Sequence, residues 1–189
     1  MSFSSYYTGE GAVLPLRKYA LLASLGLKAG YNARVAASVN IIYATTSGHT
    51  SHVVDALVSF LKEKKPDLSI EKRLAEQATK EDLQKGDVLL LAASTWNTGS
   101  VEGQLNPHMF TFLKDTAKDA NLNGKKTAMI GLGDSRYFFT CRAADELEEF
   151  VRTHGGKELL PSLRIINEPY GQEKAVEEWG AKFLSAMNA

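Results

Sequence analysis

From residue 38 onward the apolar positions follow two rhythms. Val39-Asn40-Ile41-Ile42-Tyr43 is a short β-branched run that reads as a buried strand. Val54, Leu57, Val58 and Leu61 then recur at helical spacing and stop before Pro66. A second strand is expected over residues 68–74, where charges alternate as they do at a sheet edge. Val88-Leu89-Leu90-Leu91-Ala92-Ala93 is apolar on both faces, as an interior parallel strand must be. Residues 109–118 read as a helix, 127–131 as a buried strand and 132–140 as a loop. A helix then carries Ala144, Leu147 and Val151 inward, and Gly155-Gly156 ends it. Residues 163–166 make a fifth strand, and Val176, Trp179, Phe183 and Met187 form the stripe of a last helix. Strands alternating with helices predict an α/β fold, a doubly wound five-stranded parallel sheet with helices on both faces. Ligands of such sheets bind beyond the carboxyl ends of the strands, which draws attention to the loops after strands one, three and four.

Composition narrows this picture. A length of 189 residues with 44% hydrophobic content fits one domain with a substantial core. The formal charge is zero, so no basic field points to nucleic acid. The balance is uneven, however. Residues 1–37 carry Arg17, Lys18, Lys28 and Arg34 against Glu10 alone, a net of +3 that leaves the remainder at −3. This stretch is expected to be a flexible or loosely docked basic extension. A targeting segment or a partner-binding amphipathic segment are weaker readings of it. Its apolar run from Tyr19 to Leu27 falls well short of the ~20 residues that span a bilayer. Cys141 is the single cysteine, so no internal disulfide forms and a reducing, cytoplasmic setting is expected.

Three loops carry candidate chemistry. After strand one, Thr45-Thr46-Ser47-Gly48-His49-Thr50 sets four hydroxyls and a glycine before a helix start, where backbone N–H groups and the helix dipole favour an anion. With no lysine, it is not the phosphate loop of nucleotide triphosphatases, and an uncharged cradle suits a monophosphate. An ordinary Ser/Thr helix cap explains the same residues. After strand three, Ser94-Thr95-Trp96-Asn97-Thr98-Gly99 offers a Trp. After strand four, residues 131–137 offer Tyr137. Each aromatic alone reads as a cap on the core, but together they could sandwich a planar ring beside the phosphate loop.

The three loops resemble those of flavodoxins in order, spacing and placement, and the likeness covers residues 38–187. The resemblance implies strand order 2-1-3-4-5, the short-chain type, and an FMN-binding electron carrier that acts as a monomer between redox partner proteins, a reductase as donor and an oxidoreductase as acceptor. It implies that Thr45, Thr46, Ser47, Gly48, His49 and Thr50 hold the phosphate and that Trp96 and Tyr137 flank the ring. Ser94, Thr95, Gly99, Gly133 and Asp134 would line the ribityl chain and ring edge, with Asn97, Thr98, Phe139 and Cys141 beside them. It also implies that the peptide at Asn97 rotates on one-electron reduction. The chain departs from the family pattern in Val54, His49 and its weaker acidity.

Other chemistries fare worse. His49 and His52 lie three apart, but no further ligand is near in sequence to complete a metal site. Neither a GxSxG elbow nor a complete dinucleotide fingerprint occurs. A phosphate-accepting receiver domain needs an aspartate after strand three, where Ala93-Ser94-Thr95 stands. A flavin-dependent NAD(P)H quinone or azo reductase of the same fold remains as the enzymatic alternative.

Overall fold

The computed structural model describes residues 37–188. The predicted basic extension falls on residues that, Ala37 apart, lie outside this range. Strand β1 (Ser38–Tyr43) leads into helix α1 (His49–Lys64), and β2 (Ser69–Leu74) pairs in parallel with β1, its one partner among the described residues, at the edge of their sheet. β3 (Val88–Trp96) lies on the other side of β1, and β5 (Lys126–Gly133) lies beyond β3, all parallel. Between them, the two-residue strand β4 (Gln104–Leu105) folds back antiparallel on Thr95 and Trp96. Helix α2 (Pro107–Thr111) follows and widens into one π-helical turn at Phe112–Thr116. After β5 come α3 (Arg142–Thr153), β6 (Lys157–Glu158), β7 (Leu163–Ile166) and α4 (Glu173–Met187). Both β6 and β7 pair in parallel with β5, so the fifth strand of the expected order is present in two pieces.

The alternation of side chains sorts the sheet onto two cores. Ile42, Leu89, Leu91 and Met129 face one side, against Leu113 of the widened turn and Leu147 and Val151 of α3. Ile41, Leu90, Ala128 and Ile130 face the other, against Val54, Leu57 and Leu61 of α1 and Val176 and Phe183 of α4. Because β1, β3 and β5 are covered on both faces, they read in sequence as continuous apolar runs. β2, at the edge, is mostly exposed or half-buried and carries the charged alternation. All the core strands run the same way, so their carboxyl ends, and the loops that leave them, gather along one rim.

Two sequence expectations need correction. Ser94, Thr95 and Trp96 are not loop residues: β3 continues through them because Ser94 pairs with Leu132 of β5 and β4 pairs with Thr95 and Trp96. Likewise β5 runs on through Leu132 and Gly133, where a loop was expected, held there by pairing with Ile165 and Ile166.

Candidate functional site

Segments leaving β1, β3, β5 and β7 enclose a cleft of about 440 Å³ at this rim, within the range of small-molecule sites. One wall is made by the turn into α1. Thr45 Oγ1 accepts the Gly48 N–H at 3.1 Å. Gly48 is the residue at which the helix starts, at φ 88° and with no side-chain cap. A Cβ there would meet nothing within 4 Å, so the left-handed backbone, not crowding, calls for glycine. The ordinary Ser/Thr cap considered from the sequence is therefore not what forms. Instead the first turn of α1, free of acidic residues, brings its N–H groups and positive dipole end to the wall formed by Thr45, Ser47, His49 and Thr50.

The facing wall is aromatic. Trp96 ends β3, its indole N–H donating to Ser94 Oγ at 2.9 Å, and it is 38% exposed; Tyr137 is 55% exposed. Both line the cleft, so neither is the core cap that each alone suggested. Phe139 lines it too and carries the Arg142 guanidinium 4.7 Å above its ring.

Several polar side chains around the cleft serve the scaffold. The Thr95 hydroxyl donates to the Leu132 carbonyl at 2.9 Å and accepts the Ala143 N–H at 3.0 Å, which ties β3 to β5 and to the start of α3. Arg136 donates Nε–H to both Asp134 carboxylate oxygens, at 3.0 and 2.9 Å, and its backbone N–H to Oδ1. This pairing holds the Asp134 carboxyl down at about 2. Asn167, at φ 69°, accepts both the Ser135 N–H and its hydroxyl through Oδ1 at 2.9 Å. Next to it, Glu168 Oε2 lies 3.3 Å from His49 Nε2. Residues 167 and 168 thus join the Tyr137 segment to the start of α1. His52 makes its own pair with Glu173 at 2.8 Å.

Of the residues expected at the site, Thr45, Ser47, His49 and Thr50 line one wall; Ser94, Thr95, Trp96 and Asn97 line another; Gly133, Asp134, Tyr137 and Phe139 complete the set. Five do not line the cleft. Thr46 Oγ1 is turned to Asn106, and the Thr98 hydroxyl donates to the Leu105 carbonyl at 2.7 Å. Gly48 and Gly99 shape turns at φ 88° and 63°. Cys141 is buried, with its S–H directed at the Ile165 carbonyl at 3.2 Å, and burial pushes its thiol up to about 11. Its backbone sits so close to Gly133 that a Cβ there would meet Cys141 N at 2.1 Å. Conversely, Glu102, Gly103, Leu132, Arg136, Asn167 and Glu168 line the cleft and were not foreseen. Asn167 and Glu168 follow β7, whose carboxyl end the ligand rule covers as much as the others.

The sequence model of the flavodoxin family matches residues 41–179. A flavodoxin from Maridesulfovibrio salexigens is 31% identical over 75% of this chain and 92% of its own. A probable flavodoxin from Bacillus subtilis is 30% identical over 73% of this chain and 87% of its own. The crystal structure of oxidised flavodoxin 1 from Bacillus cereus superposes with a TM-score of 0.69 at 26% identity, covering 79% of this chain and 98% of that one. The chain belongs to the flavodoxin family: it binds FMN and is a carrier of electrons between redox partner proteins rather than an enzyme.

Proposed function

We propose that the cleft is the FMN site, with the phosphate against residues 45–50 and the isoalloxazine between Trp96 and Tyr137. The observation that carries this is one cleft uniting an uncapped, hydroxyl-bearing helix N-terminus with two half-exposed aromatics. The wall at the start of α1 offers N–H and O–H donors to an anion, and the two rings offer apolar area to a planar group. The bound flavin supplies the electron-accepting ring; this chain's residues bind it, cover its faces and exclude water.

Among the described residues, Trp96, Val101, Tyr137, Phe138, Ile166 and Tyr170 are the large apolar side chains left exposed. All six lie at the carboxyl ends of β3, β5 and β7 or on the segments that follow. That rim supports docking of redox partners beside the ring, a reductase as donor and an oxidoreductase as acceptor, each to a cytoplasmic monomer. Among the described residues no helix is long and apolar enough to cross a membrane. Stepwise reduction of the purified protein, followed in the visible spectrum, tests this reading. Two separable one-electron steps are expected; direct two-electron bleaching by NAD(P)H would make it a reductase.

A further inference from the structure

We propose that Asn106 is a positioning residue for the phosphate loop, tying the loop to the buried start of α2 through the Thr46 hydroxyl. Asn106 is wholly buried and stands where β4 ends and α2 begins. Its backbone N–H donates to the Ser94 carbonyl at 2.8 Å, two residues before Trp96. Its side chain points two ways: Oδ1 accepts the His108 N–H at 3.1 Å, and Nδ2 lies 2.8 Å from Thr46 Oγ1. One residue thereby touches the first turn of α2, the strand that presents Trp96, and the loop between β1 and α1.

The direction of these bonds follows from the donors. A backbone N–H only donates, so the amide oxygen must face His108 and the NH2 must face Thr46. Thr46 Oγ1 then accepts, and its one proton points away from Asn106. Thr46 itself does not line the cleft, but it stands between two residues that do, Thr45 and Ser47, so its tether to Asn106 fixes the stretch that carries them. The inference rests on the reading that residues 45–50 hold the phosphate.

A capping role alone makes a different prediction. Asparagine, aspartate and serine are all good caps, so a residue needed only to start α2 tolerates either replacement. Serine is too short to reach Thr46, while aspartate keeps the shape but presents an acceptor, drawing the Thr46 proton towards itself. FMN and riboflavin are titrated separately into the full-length apoprotein, since the two ligands differ only in the phosphate. Asn106→Ser is expected to weaken FMN by about tenfold, or ~1.4 kcal/mol, and riboflavin less than twofold. Asn106→Asp is expected to weaken FMN further, again with little change for riboflavin. Thr46→Ala, in an exposed loop, is expected to reproduce the serine effect, and adding Asn106→Ser to it should cost nothing more. Additive losses, equal losses for the two ligands, or Thr46→Ala with full FMN affinity would each overturn the proposal. Thr50→Ala serves as the control. Should it fail to separate FMN from riboflavin, the phosphate assignment falls and this proposal with it; should it separate them while Asn106→Ser does not, only Asn106 loses its role.

Discussion

At the scale of single residues, the cleft sorts hydroxyls by what the protein already asks of them. Thr95 spends both its proton and a lone pair on the scaffold, whereas Thr45 accepts from Gly48 and keeps its proton to donate. Thr45→Val or Thr50→Ala is therefore expected to weaken FMN by about 1–3 kcal/mol, the scale of a bond to a charged group, and to leave riboflavin nearly unchanged. Equal loss of both ligands in calorimetric titration would mean that these hydroxyls do not meet the phosphate. Asn97 poses a backbone question instead. It sits at φ −101° and ψ 68°, before a turn in which Gly99 and Ser100 both have positive φ. Its Oδ1 accepts the Gly103 N–H at 3.4 Å. If the peptide here rotates on one-electron reduction, as the flavodoxin resemblance implies, glycine should lower the cost of the turned form and valine raise it. Asn97→Gly is expected to raise the first reduction potential and Asn97→Val to lower it, by tens of millivolts, where ~59 mV is a tenfold change for one electron. Potentiometric titration decides; movement of both in the same direction would rule out the peptide as the switch.

At the scale of elements, the long strands and helices were legible because burial on two faces or on one stripe leaves a period in the sequence. The two-residue strands β4 and β6 were not, since two residues carry no period; they exist because Thr95 and Lys126 have partners across the sheet. The site was legible where a loop had distinctive chemistry, as in residues 45–50 and 133–137. It was not legible at Glu102 or Glu168, ordinary surface carboxylates until the fold brings them to the cleft, or at Asn106, whose meaning lies in three contacts distant in sequence. Cys141 shows how an element constrains a side chain. It starts α3 in the left-handed region at φ 56°, pinned against Gly133, with the thiol in the core. The fold holds that thiol neutral up to about 11 against an ordinary 9.0. Its folded value is raised, so ionisation favours the unfolded chain: stability is unaffected below pH 9, falls between 9 and 11, and levels off beyond. Chemical denaturation across that window should show a decline that Cys141→Ala lacks. Thiol alkylation of the native protein at pH 8 should proceed only as fast as the chain opens; stoichiometric labelling of the folded protein would contradict the burial.

At the scale of the whole molecule, the question is how much of the chain the cofactor needs. Among the described residues, every one that lines the cleft falls between Thr45 and Glu168, and the family match spans residues 41–179. The sheet itself begins at Ser38, whose N–H and hydroxyl both donate to the Asp87 carboxylate, at 2.7 and 2.8 Å. That anchor fixes the amino end of β1 at the opposite rim from the site. Among the described residues, both cores, the loop from β1 to α1 and the segments bearing Trp96 and Tyr137 are supplied from Ala37 onward. Residues 1–36 add basic charge to a body of opposite sign. Deleting them is expected to leave FMN affinity and both reduction potentials unchanged, while making the protein more acidic overall. Electron transfer to a partner is the one property in which their charge is expected to register, as a change in the salt dependence of the association rate. Side-by-side flavin titration and potentiometry of the full and shortened chains checks this. A shortened protein with native far-UV dichroism but no FMN binding would show instead that the first 36 residues form part of the site.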